Sequence, residues 1–200
     1  MISENTMNSK QGNFNCAIQT IVATLGVIFG ISGIGHGFFE MLQGNTATNG
    51  YVIYAIGEAN RIWLHGNEPA LTIIPNFLLS GIVAILVGVA VIIWSAGFMS
   101  KKNASSIFLS LFLLLFLVGG GIGQVIFFMI GWAMPTRIHK PLNWWRKVLP
   151  AGVRRFLSNM WQPFLFVSSL LMLYTLQIAI FGFVPGISDP DSISMVMLST

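Results

Sequence analysis

Residues 26–45 read G-V-I-F-G-I-S-G-I-G-H-G-F-F-E-M-L-Q-G-N, and the reading of this stretch decides which solvent the chain folds in. It begins as an unbroken apolar helix and ends with His36 and Glu40 one helical turn apart. Ionisable groups in an apolar span are costly to place, so they pose a functional question. The run that contains them, residues 16–42, exceeds the roughly 20 apolar residues needed to cross a hydrocarbon core. The rest of the chain agrees. Of its 200 residues, 54% are hydrophobic and 8% charged, with a mean hydropathy of +0.77. Soluble domains carry roughly a quarter charged residues.

Outward from that stretch, the apolar runs predict an all-α integral membrane protein. A polar tail (residues 1–15) precedes four transmembrane helices at about 16–42, 70–98, 107–134 and 161–184, packed as a bundle. Residues 185–200 form a C-terminal tail. Short interfacial helices are expected in the two longer loops, 44–69 and 135–160. In the first, Glu58 and Arg61 stand at i,i+3 and Trp63 is an anchor. Asn67-Glu68-Pro69 reads as the start of the second helix.

Small residues predict where helices meet. Gly26/Gly30 and Gly33/Gly37 form two GxxxG patterns, and Ser80, Ala84 and Gly88 form a second stripe at four-residue spacing. The run Gly119-Gly120-Gly121-Ile122-Gly123-Gln124 invites a phosphate-loop reading, but that motif needs a strand before it and a helix after it. Inside an apolar span it reads as a closely packed or flexible piece of helix.

The net charge of +4 is concentrated. Arg137, Lys140, Arg146, Lys147, Arg154 and Arg155 share one loop with Trp144 and Trp145. Cations beside aromatics suit an anionic lipid surface, at about 1 kcal/mol per basic residue. Nucleic acid is excluded as a partner, because there is no soluble basic domain to bind it. With four spans, both longer loops lie on one side. Arg61 and the six cations above then outnumber Lys10, Lys101 and Lys102. The positive-inside rule accordingly predicts cytoplasmic loops and both termini outside, in the plasma (inner) membrane of a prokaryote.

Chemistry is sparse. Cys16 is the lone cysteine, which excludes an internal disulfide and a CxxC zinc or redox site. No HExxH or ExxH motif is present, so neither a metal site nor a catalytic residue is expected, and no cofactor is specified. Four spans would bring Ser32, His36, Glu40, Asn76, Ser80, Gln124 and Ser168 into one half of the membrane as a polar cavity, a candidate binding site. Its plain alternative is an interfacial His/Glu pair at a helix end, with glycines that serve packing only.

The run L-G-V-I-F-G-I-S-G-I-G-H of span one, with I-P-N-F-L-L-S-G-I-V-A-I-L-V-G-V-A of span two, resembles the small four-helix DoxX-type membrane proteins. That resemblance implies a quinone-associated redox accessory role. Two further functions fit the residues themselves. One is a non-enzymatic membrane partner or assembly subunit, acting with another membrane protein or as a homo-oligomer. The other is a small transporter with a proton-titrating His/Glu pair.

Overall fold

The structure is a computed structural model that describes residues 15–101 and 103–200. The predicted tail up to residue 14, with Lys10, and Lys102 lie outside the described residues. Three helices are long and apolar enough to cross a membrane: α1 (Cys16–Leu42), α2 (Phe77–Gly97) and α6 (Ala151–Phe181). The first matches the predicted span. The second starts later than predicted, because Pro75 cannot donate within a helix and Asn76 caps the first turn, accepting from Leu79 N–H at 3.0 Å. The fourth predicted span starts about ten residues earlier than expected, and its αL cap is Gly182.

α1 and α2 pack through Gly30 and Gly37 of the predicted glycine pairs against Gly88 of the predicted stripe and Gly81 beside it, while Gly33 faces Leu115. A Cβ on Gly30 would lie 2.8 Å from the Gly88 carbonyl, and one on Gly37 would lie 2.6 Å from that of Gly81. Such backbone proximity lets the two helices associate through close van der Waals packing. Phe29 fills the space beside this seam, against Phe112 at 5.6 Å and Phe127 at 5.0 Å between ring centroids.

The third predicted span is not a transmembrane helix. α3 (Ala104–Leu117) has 14 residues, about 21 Å at 1.5 Å per residue, short of a hydrocarbon core of about 30 Å. It stops where Gly119 (φ +102°) and Gly121 (φ +98°) take conformations that other residues rarely adopt. The chain then runs extended beside β2 (Pro69–Leu71), which pairs antiparallel with β1 (Val52–Tyr54). Ile73 N–H donates to Leu117 C=O, Gly119 N–H to Leu71 C=O, and Ile122 N–H to Pro69 C=O. A 3-10 turn (Gly123–Phe127) and α4 (Phe128–Ala133) follow.

This second limb returns to the end from which α3 came. Asn15 N–H donates to Ile138 C=O at 2.7 Å, its side-chain amide donates to Arg137 and Lys140 carbonyls, and His139 Nε2 meets Ser100 C=O at 3.0 Å. Residues 104–138 therefore form a hairpin that enters and leaves at one end of the bundle, the geometry of a re-entrant segment, and the loops 44–69 and 135–160 lie at opposite ends. That corrects the four-span arrangement and the expectation that both loops share a side. The reason is local: backbone groups freed by a glycine break must find partners, and the edge of β2 offers them.

Two smaller corrections follow. The loop after α1 holds β1 and a single 3-10 turn (Glu58–Asn60) in place of an interfacial helix, and Asn67-Glu68-Pro69 leads into a strand. The C-terminal tail contains α7 (Pro190–Ser199), whose first turn is capped by Asp189 through Ser192 N–H and Oγ. It folds back on the cap: Ile178, Val184 and Ile193 cluster with Trp63, whose indole N–H donates to Ala179 C=O at 3.0 Å.

Candidate functional site

The geometry of the site follows from the re-entrant loop. Because residues 118–122 lie across the last turns of α1, His36 and Glu40 face backbone that has no side chains. A Cβ on Gly121 would stand 2.8 Å from His36 Nε2, and one on Gly119 would stand 2.5 Å from Glu40 Oε2. Both side chains are buried, Glu40 completely.

His36 Nε2 pairs with Glu68 Oε2 at 2.5 Å. Burial pushes the Glu68 carboxyl up, yet the hydrogen bond and charge of His36 prevail and hold it below the usual carboxylate range. Glu40 is different. Neither of its oxygens has a hydrogen-bond partner. The Ser80 hydroxyl beside it is engaged with Val118 C=O at 3.1 Å and with Thr72 Oγ1 at 2.7 Å. A buried acid left in this way is energetically costly, and in membrane helices such groups mark ion or proton routes.

A cleft of roughly 700 Å³ opens onto the His36–Glu68 pair. One wall is α1 (Ile28, Phe29, Ser32, His36), another the re-entrant loop (residues 121–124 and Phe127), and a third α6 (Met172, Thr175, Leu176, Ala179). His65, Asn67, Glu68 and Pro69 of the cap and Met197, Leu198 and Thr200 of the C-terminal segment close the remaining side. His65 Nε2 meets Asp191 Oδ1 at 3.1 Å, an exposed pair that ties the last helix to the cap.

Of the residues predicted to share a cavity, Ser32, His36 and Gln124 line this cleft, with Glu40 and Ser80 directly behind it. Gln124 is fixed by donating its amide to Gly120 C=O, which leaves its own side-chain oxygen buried and unpartnered. Asn76 and Ser168 are placed elsewhere. Asn76 caps α2 and donates to Asn45 Oδ1 at 2.7 Å. Ser168 is exposed and bonds back to Phe164 C=O at 2.8 Å, a common use of serine within an apolar helix. Asn67 and Glu68, which the sequence presents as a helix start, and the α6 wall are additions to the predicted cavity. The usable signal was the glycine run, which leaves stretches too short to span on either side.

The predicted lipid-contact residues Arg137, Lys140, Trp144, Trp145, Arg146, Lys147, Arg154 and Arg155 are all exposed. They occupy the end of the hairpin (Arg137), the connection after it, α5 (Asn143–Val148) and the first turns of α6. Among the described residues, no group of three His, Cys, Asp or Glu is arranged to hold a metal ion. Comparison with family models, with curated proteins and with solved structures gives no match.

Proposed function

We propose that the chain is a small membrane transporter that binds an amphiphilic molecule in the cleft and couples its movement to a proton carried by the His36–Glu68 pair. The observation that carries this reading is that pair, at 2.5 Å on the inner wall of a 700 Å³ cleft beside a broken membrane helix. Broken helices at membrane depth are tolerated where they line a cavity, and transporters use them to form their sites. The titratable groups facing the pair are Glu40 from α1 behind it and His65 from the cap beside it. Histidine changes charge near neutral pH, which suits a coupling group.

Orientation forms part of the proposal. Lys101, Arg137, Lys140, Arg146, Lys147, Arg154 and Arg155 lie at one end, and Arg61 is the lone Lys or Arg of the capped end among the described residues. The positive-inside rule then puts the basic end in the cytoplasm, where its Trp and Arg side chains meet anionic head groups, and the cap and α7 outside. The membrane best suited to this remains the plasma (inner) membrane of a prokaryote.

The reading is tested in proteoliposomes by accumulation of radiolabelled small amphiphiles under an imposed pH gradient. Uptake that follows the gradient and is abolished in His36→Gln is expected. Binding without gradient-driven uptake would refute coupling. A second reading, an assembly subunit, draws on α6: of its 31 residues only Ile178 is buried by this chain. Co-purification of one stable membrane partner would favour it. The redox role implied by the DoxX-type resemblance would be favoured by a quinone in the lipid extract of the purified protein.

A further inference from the structure

The polar lining of the cleft has a consistent chemistry. None of the lining residues is Lys or Arg, and His36, its buried imidazole, already gives its Nε2 to Glu68. Most of what remains for a ligand is acceptors: the Glu68 carboxylate, and Asn67 Oδ1 and Gln124 Oε1, both buried without a partner; beside them stand the His36 Nδ1, also unpartnered, and the Ser32 hydroxyl, which can donate or accept. Gln124 is 4% exposed, so its oxygen has no recourse to bulk water. An unpaired buried acceptor is satisfied only by a ligand that brings donors.

The wider field has the same sign. Among the described residues, the capped end holds Glu40, Glu58, Glu68, Asp189 and Asp191 against Arg61 alone. A cleft with low-dielectric walls focuses such a potential and concentrates cations at its mouth. Deeper in, Phe29 and Phe127 stand 5.0 Å apart and present ring surface beside Ile28 and Met172. Aromatic faces accept both an apolar body and a cation.

Building on the transporter reading above, we infer that the ligand is an organic cation: a protonated amine on a compact apolar body, with its N–H donors on Glu68, Asn67 and Gln124. An anionic amphiphile would face the Glu68 carboxylate with no Lys or Arg in the lining to pair with. A ligand that offers only acceptors, such as a quinone carbonyl, would leave both amide oxygens unpaired.

The test is equilibrium binding at pH 7 to the full chain in phosphatidylcholine nanodiscs, whose neutral head groups do not trap cations. The probes are 1-adamantylammonium, its neutral isostere 1-adamantanol and the anion 1-adamantanecarboxylate. The ammonium is expected to bind at least tenfold more tightly than the alcohol, with no binding of the carboxylate. Glu68→Gln, which keeps the shape, is expected to narrow the ammonium preference to less than twofold, and Asn67→Leu to weaken ammonium binding tenfold. Equal or tighter binding of the alcohol or the carboxylate would overturn the cation assignment while leaving an amphiphile site in place. Binding of none of the three would overturn both the assignment and the transporter reading.

Discussion

Two glycine-rich stretches of this chain look alike in sequence and behave in opposite ways. In residues 26–37 the glycines stay within a continuous helix, where Gly26, Gly30 and Gly37 let α2 approach and Gly33 admits Leu115 of α3. In residues 119–123 three glycines are consecutive and a fourth follows; Gly119 and Gly123 are again four apart, yet Gly119 and Gly121 take positive φ and the chain leaves the helix altogether. The first set builds a seam, the second a binding wall. A consecutive glycine run that takes positive φ, more than the four-residue spacing both stretches share, separates breaking from packing.

The sharpest way to break this contrast is Gly119→Ala. Its φ of +102° is strained for alanine, and the new Cβ would meet the Glu40 carboxylate. Backbone strain of about 1–3 kcal/mol and overpacking of a similar size predict a loss of about 2–5 kcal/mol, read as a fall in the midpoint of thermal unfolding in detergent. An unchanged midpoint would mean that the re-entrant turn is not formed as described.

The seam gives a smaller effect. Gly37→Leu drives a side chain into the Gly81 carbonyl and should cost about 1–3 kcal/mol by the same assay. Gly35→Ala is the control two residues away. No atom lies within 4 Å of its would-be Cβ, so a change of less than about 1 kcal/mol, towards greater stability, is expected. If both variants behaved alike, the α1–α2 seam would be misplaced.

How far the broken segment depends on the cap can be sharpened by pH. The Glu68 carboxyl is held below its ordinary value of about 4.3. Its contribution is therefore fully present above that pH and is lost as pH falls through the lowered folded value. Wild type should lose on the order of 1 kcal/mol of stability in that acid window relative to neutral pH, a step that Glu68→Gln lacks. An identical acid profile in the two proteins would remove the pair from the site.

Much of this was readable in the sequence. The bounds of α1 follow from a long apolar run, and one glycine of each predicted pair, Gly30 and Gly37, meets α2, while Gly33 faces Leu115. His36 and Glu40 drew attention because ionisable groups are rare in such helices. What could not be read is what depends on distant partners. Glu68 looked like a helix start because Pro69 fits both a first helical turn and a strand end. The break at Gly119 shows its purpose only when Leu71 and Pro69 supply hydrogen bonds to it. A continuous third span places the loop 44–69 on the side of the basic loop and draws Asn76 and Ser168 into a cavity that they do not line.

Membrane topology tests the re-entrant hairpin most directly. In a Cys16→Ser background, single cysteines at Asn60→Cys, Asn143→Cys and Ser199→Cys are labelled with an impermeant maleimide in intact cells and again after permeabilisation. A re-entrant hairpin predicts that positions 60 and 199 react in intact cells while position 143 reacts only after permeabilisation. Labelling of positions 60 and 143 from the same side would contradict it, and would restore a chain that crosses the membrane four times.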